Sequence, residues 1–560
     1  MADDRGDKDK GVSMESNVIP LAERVAGKEK VAEIRDQVEA RKAEEAEKFG
    51  KGDDGGDDVS SAFVRDCLRM NELGDGILFR ELHRGKFIFN KAMDAWMIWS
   101  GHYWDIDTME LAKMSVENVV AKYIREVVRV CAEIRELDGK DPARERSLGA
   151  LRDAFNQRIS ALRTTRRRNN CLGMAHTCEE AIAIHGEEID RKPWLLACKN
   201  AVVDLRTGKA RDGRPEDFLH KHAAAEWKGI DEPCPEWEKF LAQILEEDHL
   251  DPKEGRPMCE FMQRLLGHAL VGETAEHIFA VFEGPGRNGK GTIQRVMIHV
   301  LGNLAGPVRS EMLLEQSRNI SSAGPTPDIM TLRGLRMAFA SETDEGCRVS
   351  AARVKWMTGG DELTGRNPHD KYEVSWHPTH SLFLMTNSRP GAPAEDFAFW
   401  QRMHLVPFKL SFVSGEPQKS NERKTDPDLE ARLLAEASGI LSWLVRGCLQ
   451  WQQIGLRPPP QVVEANAQYQ ADEDNVGAFI DHCCVIDPGN DQMHTGATQL
   501  YEAFEAWWLK FIGRKPMKQK RFGQAMRKRF RSEKSGGIYR YYGIGLLSTD
   551  QDEPELWQDH

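Results

Sequence analysis

No run of about 18 uncharged apolar residues occurs in the sequence, so nothing in it predicts a membrane-spanning helix or a membrane partner. The opening MADDRGDKDK is too charged for a secretory signal, and export is not expected. Cysteine is scattered: the eleven residues stand singly apart from Cys483-Cys484, which argues against a disulfide framework and for a reduced, cytoplasmic setting. Metal-ligand spacing is nearly missing too. Cys171, His176 and Cys178 come nearest, but no second CxxC-like pair completes a tetrahedral zinc site, and ordinary helix residues are the better account.

At 560 residues the chain can bury several cores and form about two to four domains. Its net charge of −12 argues at first against a polyanionic partner, but the signs are segregated along the chain and local charge matters more. Residues 1–58 are acidic, poor in apolar residues and end in GKGDDGGDD, which predicts a solvated helix and a flexible linker without a core. Apolar density rises from Phe63 through WMIWSGHYW into the helical period of LAKMSVENVVAKYIREVVRVCAEI. CKNAVVDLRTGKARDG predicts short strands with glycine turns; PEWEKFLAQILEE and MCEFMQRLLGHALVG then return to helical spacing. One basic run, RTTRRRNN at Arg163 to Asn170, fits either a nucleic-acid contact or an exposed charged turn.

In HIFAVFEGPGRNGKGTIQRVMIHVLG an apolar strand-like run, Ile278 to Phe282, meets a glycine-rich loop and then an apolar-periodic helix. Gly284 and Gly289 are spaced as in GxxxxGK, where glycine lets backbone N–H groups close around phosphate oxygens and Lys290 reaches the outer phosphates. The candidate site for ATP with Mg²⁺ is therefore Gly284, Pro285, Gly286, Arg287, Asn288, Gly289, Lys290, Gly291 and Thr292. Gly284, Gly286 and Gly289 also satisfy GxGxxG, which leaves a dinucleotide fold as the alternative. The lysine after the last glycine favours a triphosphate, as does the lack of a clear second strand ending in a ribose-binding acid. Gly291 stands where a Ser or Thr usually holds Mg²⁺, so that role falls to Thr292.

GLRMAFASETDEG predicts a strand, Met337 to Ala340, that delivers Glu342 as candidate base and metal-site acid; with Asp344 and Glu345 it also fits a solvated acidic turn. A third strand, Ser381 to Met385, ends in Thr386-Asn387. Asn387 there is either a sensor of the terminal phosphate or a strand cap.

GPGRNGKGT, the strand ending in SETDEG, KWMTGGDELTGRN, LFLMTN and FWQRMHLVPF together resemble the phage and plasmid primase-helicase family, the superfamily 3 helicases of poxvirus type. Upstream, WMIWSGHYW, NAVVDLRTG and RLLGHALVG are similar to the domain that precedes the motor, so the likeness covers residues 63 to 545. The resemblance implies a hexameric AAA+ ring that hydrolyses ATP between subunits and draws single-stranded DNA through its centre. It implies the catalytic set Lys290, Glu342, Asn387 and Arg402, the last offered to the neighbour's nucleotide; a surface arginine beside Trp400 is the plainer account of Arg402. TGRNPHDKYEVSW then becomes a DNA-gripping hairpin carrying Arg366, His369 and Lys371, with Lys355 one helix earlier turned toward the interface or DNA.

Beyond residue 412 the pattern is helical up to LRPPPQVVEAN. TGATQLYEAFEAWWLKFIG and KPMKQKRFGQAMRKRFRSEKSGGIYRYYGIGL then predict a winged-helix-like domain: an aromatic helix, a basic helix and a short hairpin. Lys518, Lys520, Arg521, Arg527, Lys528, Arg529 and Arg531 form a positive patch, while Phe522, Met526 and Phe530 recur at core spacing. Duplex DNA, a solvated basic face, or contact with the acidic termini would each account for the patch.

The expected organisation is an α/β chain: an acidic segment 1–58, a mainly helical α+β domain 59–235, a helical collar 236–272, an AAA+ P-loop core 273–412, a helical lid 413–470, a winged-helix-like domain 475–547 and an acidic tail 548–560. Residues 1–58 are too few and too polar to fold the primase that the family often fuses here, so a separate primase or other replication protein is the expected partner, besides single-stranded and forked DNA. The rival expectation is a nucleotide-switched initiator that assembles on an origin without processive unwinding.

Overall fold

The computed structural model describes residues 59–251, 255–315, 325–341, 347–368, 372–513, 516–535 and 538–547. Glu342, Asp344, Glu345, His369, Lys371, the acidic segment 1–58 and the tail 548–560 lie outside the described residues. The chain is a mixed α/β structure of two compact units: Met1–Trp99 with Asp105–Glu187, and Ser100–Trp104 with Glu188–His560.

In the first unit, helices Ser61–Arg69, Asn71–His83, Val116–Leu137, Pro142–Leu162 and Thr165–Ala175 close around Leu78, Phe79, Tyr123, Phe155 and Leu172. Strands Phe87–Asn90 and Ala95–Trp99 pair antiparallel, Phe87 opposite Ile98. Asp75 is fully buried among the helices and accepts from Tyr123 Oη at 2.9 Å, Arg158 Nη1 at 2.8 Å and Arg167 Nε at 2.9 Å. Arg167 also donates to Glu72 at 2.9 Å, while Arg163 and Arg168 reach Glu117 at 2.8 and 2.6 Å. Within the basic run at 163–170, Arg163, Arg167 and Arg168 are thus paired with carboxylates some 50 to 90 positions away, while Arg166 is exposed. Cys171 is buried, with its thiol on the Asp75 carbonyl at 3.3 Å, and His176 takes Lys91 at 2.7 Å. Among the described residues no cluster of three or more His, Cys, Asp or Glu could hold a metal.

The second unit begins with strands Leu195–Ala197, Val202–Asp204 and Lys209–Arg211 in an antiparallel sheet. Their inward residues Leu196 and Val203 join one core with Trp237 and Phe240 of helix α1 (Pro235–Ile244) and Phe261 and Leu265 of helix α2 (Pro257–His268). The division between units thus falls inside the 59–235 segment rather than at its end.

The sheet that organises this unit is parallel throughout. Its strands are β1 (Phe279–Glu283), β2 (Ala305–Val308), β3 (Met337–Ser341), β4 (Ser381–Thr386) and β5 (Met403–Pro407), in the spatial order β5-β1-β4-β3-β2. Alternate side chains supply two cores: Ala280, Phe282, Phe339 and Phe383 face one, and Phe279, Val281, Leu382 and Leu384 the other. A sheet covered on both faces needs apolar residues at every position, which is why these segments read as continuous hydrophobic runs. Strand β2, AGPV, carries no such signal because it lies on the edge, where Pro307 opposite Phe339 is tolerated.

Helix α3 (Lys290–Leu301) follows β1, and helix α4 (Ala437–Ile454) crosses α2 at two glycines. A Cβ on Gly447 would lie 2.0 Å from the Gln263 carbonyl oxygen, and one on Gly267 would lie 2.3 Å from the Cys448 nitrogen, so the backbones meet where no side chain fits. Helix α5 (Pro460–Asp472) leads to a small C-terminal assembly. There α6 (Asn475–Cys483), α7 (Ala497–Phe511) and α8 (Gln519–Arg529) enclose Phe479, Phe504, Phe522 and Met526, and strands Ser532–Ser535 and Ile538–Tyr542 pair antiparallel. Among the described residues no helix is long and apolar enough to cross a membrane.

Candidate nucleotide site and nucleic-acid elements

A cleft of about 410 Å³ opens at the C-terminal ends of β1, β3 and β4, lined by the loop from Gly286 to Thr292 and by Gln294, Arg295, Ser341, Met385 and Asn387. Ligands of parallel α/β sheets bind at this end of the strands. The loop's shape follows from its glycines: Gly286 and Gly289 adopt φ of 93° and 90°, left-handed values that side-chain-bearing residues rarely take, and Gly289 turns the chain directly into α3. Gly284 is needed for space instead, since a Cβ there would lie 2.1 Å from the Phe408 carbonyl oxygen. Asn288 is buried and donates to that same carbonyl at 3.3 Å, tying the loop to the chain leaving β5. Pro285 and Arg287 form the exposed rim.

Lys290 is buried at the first position of α3 and donates from Nζ to the Gly284 carbonyl at 2.6 Å and to Asn387 Oδ1 at 3.3 Å. Burial lowers its pKa to about 8, opposed by the nearby Glu283 carboxylate. A polyanion in the cleft would restore its charged form, and the N-terminal N–H groups of α3 would add to the attraction. The residue pair joins adjacent strands: Asn387 directly follows β4, and β4 lies beside β1. The dinucleotide alternative fails on topology. In that fold the strand after the loop helix pairs with the first strand, whereas here β2 is separated from β1 by β4 and β3.

The metal-site expectation fares differently. Thr292 Oγ1 accepts from Arg295 Nη2 at 3.3 Å, and Glu342, the other expected metal-site residue, lies outside the described residues. Gln294 and Arg295 were not singled out from the sequence, although they follow Gly291 at helical spacing and line the same cleft.

Arg402 immediately precedes β5, at the opposite end of the sheet from the glycine loop, roughly 16 Å of strand away. Its Nη1 donates to the Ala398 carbonyl at 2.6 Å, and its buried Nε has no hydrogen-bond partner among the described residues. It is not brought to Lys290.

Strands Leu363–Gly365 and Val374–Trp376 form an antiparallel pair with Leu363 opposite Trp376, as two extended runs require. Arg366 is half-buried at the base, its backbone bonded to Thr326 in both directions. Lys355 is held at 2.7 Å by Asp396, which caps the short helix Phe397–Trp400. On α8, Phe522, Ala525 and Met526 are buried, while Lys518, Lys520, Arg521, Arg527 and Lys528 are exposed. Arg529 is half-buried against Asp474 at 2.7 Å, and Lys528 reaches Glu395 at 3.0 Å. Arg531 pairs with Asp491 at 3.3 Å and lies over the Tyr542 ring.

Comparison with known proteins bears on this arrangement. The family described as D5 N-terminal-like matches residues 76–246. The chain is 24% identical over 450 residues to a candidate helicase of Acanthamoeba polyphaga mimivirus, covering 76% of this chain and 45% of that protein. It is likewise 24% identical over 443 residues to a candidate helicase of Frog virus 3, covering 67% and 44%, and 22% identical over 333 residues to a candidate primase of African swine fever virus, covering 58% and 34%. The resemblance to the viral primase-helicase type therefore holds. This primase-helicase-like chain spans about half the length of the first curated relatives it matches. Among solved structures, the apo C-terminal region of NrS-1 overlays 84% of it and 99% of that chain, at 12% identity and a TM-score of 0.42.

Proposed function

We propose that the chain is an ATP-driven DNA motor, a ring-forming AAA+ helicase of superfamily 3 serving replication of a phage, prophage or plasmid in its host's cytoplasm. The observation that carries this is the meeting of Lys290 and Asn387 at the ends of adjacent parallel strands, above a glycine loop that runs into a helix N-terminus. Lys290 would hold the outer phosphates, Asn387 would contact the terminal phosphate or the attacking water, and the loop N–H groups would cradle the rest. Glu342, just beyond Ser341 of β3, is the proposed base. The order β5-β1-β4-β3-β2, with the Asn387 strand between the loop strand and the acid strand, supports the AAA+ assignment.

Arg402 cannot serve its own subunit's nucleotide from the far end of the sheet, so its proposed role lies in trans, in a homo-hexamer. The hairpin with Arg366, His369 and Lys371 would grip single-stranded DNA, Lys355 less directly because Asp396 holds it. The exposed basic face of α8, in a winged-helix-like setting, would bind duplex.

The test is unwinding of a forked DNA with a 3′ tail, in ATP and Mg²⁺. The parent is expected to separate strands and Lys290→Ala to lose both hydrolysis and unwinding; turnover retained in Lys290→Ala would sink the phosphate-loop reading. Arg402→Ala should keep nucleotide binding and lose ring-dependent turnover. A second reading, the nucleotide-switched initiator, is favoured by one observation: the Arg295 guanidinium on Thr292. Nucleotide-dependent DNA binding without strand separation would decide for it.

A further inference from the structure

Arg295 lies on α3, four positions after Gly291, and lines the same cleft as Lys290. Its guanidinium is committed to two partners: Nε and Nη2 donate to the Glu430 carboxylate at 2.9 and 2.8 Å, and Nη2 also donates to Thr292 Oγ1 at 3.3 Å. Gly291 explains how it comes so near. A Cβ built there would stand 3.3 Å from Arg295 Nη1, a tight contact that the guanidinium would have to relieve by shifting a few tenths of an ångström. Arg287, Lys290 and Arg295 are the cations of the cleft, and no carboxylate lines it among the described residues.

Glu430 belongs to a separate helix, Leu429–Ala435, and both members of its pair with Arg295 are substantially exposed. Solvent screens such a pair, so it holds weakly. The fork that matches a carboxylate matches phosphate oxygens in the same bidentate way, and a polyphosphate carries more charge than one carboxylate.

We propose that Arg295 is a phosphate ligand of the nucleotide site, parked on Glu430 in the conformation described, and that a bound polyphosphate takes the guanidinium over. The inference rests on the nucleotide reading of Lys290. Its consequence is mechanical: nucleotide loosens α3 from helix Leu429–Ala435, which stays tethered through Arg432 to Glu236 at 2.9 Å and to Asp426. Its second consequence is chemical. Part of the phosphate charge normally met by a divalent cation is met by the protein, so binding depends less on Mg²⁺.

The experiment is titration of the full chain with a fluorescent ATP analogue, in Mg²⁺ and in EDTA. Arg295→Ala is expected to weaken binding about tenfold in EDTA and less in Mg²⁺. Glu430→Gln is expected to tighten it severalfold in both, a gain that no folding defect could produce. Parent-like binding by Arg295→Ala beside a loss in Lys290→Ala overturns this inference alone. Unchanged or weakened binding in Glu430→Gln also overturns it, because the pair would then be a brace rather than a competitor. Parent-like binding by Lys290→Ala overturns the nucleotide reading itself.

Discussion

Replacing His380 by leucine isolates one contribution to the acid sensitivity of the second unit. His380 precedes β4, is 2% exposed, and neither ring nitrogen has a hydrogen-bond partner among the described residues. Burial alone lowers its pKa from 6.5 to about 4. The unfolded chain binds this proton through the window between those values and the folded chain does not, so stability is fully present above pH 6.5 and is lost as pH falls toward 4. A shift of this size corresponds to about 3 kcal/mol over the whole window, and to about 2 kcal/mol of it by pH 5. Leucine has no proton to take up and gives up no hydrogen bond. Whatever its packing cost at pH 8, His380→Leu should gain about 2 kcal/mol on the parent between pH 8 and pH 5. Urea unfolding followed by tryptophan fluorescence at the two pH values measures this as a relative movement of the midpoints. Midpoints that fall in parallel would refute the reasoning, and would mean that His380 is protonated in the folded state or that the acid transition belongs to other groups.

Two further perturbations follow from the packing. Asp75→Ala should destabilise the first unit by about 3 to 5 kcal/mol, because Arg158 and Arg167 stay largely buried without their carboxylate; a thermal melt within a degree or two of the parent would show that solvent reaches them. Glu395→Gln should free Lys528 and loosen Arg529, raising duplex affinity severalfold at low salt and steepening its salt dependence; an unchanged salt slope in a binding titration would move the duplex contact away from α8.

What could be read in advance followed the range of the interactions. The loop from Gly284 to Lys290 was legible because its chemistry is local: the glycine conformations, the strand before and the helix after all lie within one short stretch. Strands β3 and β4 were equally legible, since burial on both faces writes an unbroken apolar run. The basic run at 163–170 was not, because its partners Asp75, Glu72 and Glu117 are distant in sequence and a charge run looks the same whether solvent or carboxylate neutralises it. Strand β2 escaped because an edge position relaxes the demand for apolar, proline-free sequence. Arg295 was half legible: its helical register with Gly291 can be counted, but Glu430 lies 135 positions away.

The same sheet geometry constrains how a nucleotide signal could leave the cleft. Strands β1 and β5 are hydrogen-bonded in parallel register, with the glycine loop at the end of β1 and Arg402 just before β5. The Phe279 N–H donates to the Arg402 carbonyl at 2.8 Å, and at the other end Asn288 and the Glu283 carbonyl both bond to Phe408. The two ends of this strand pair are thus tied by backbone on both sides. A sheet packed on both faces is stiff, so a shift of the loop cannot be absorbed between them. It must appear as movement of the whole strand pair, Arg402 included, or be taken up outside the sheet. The exposed, weakly held contact between Arg295 and Glu430 lies outside the sheet, and under the proposal above a phosphate would replace it with an equivalent bond.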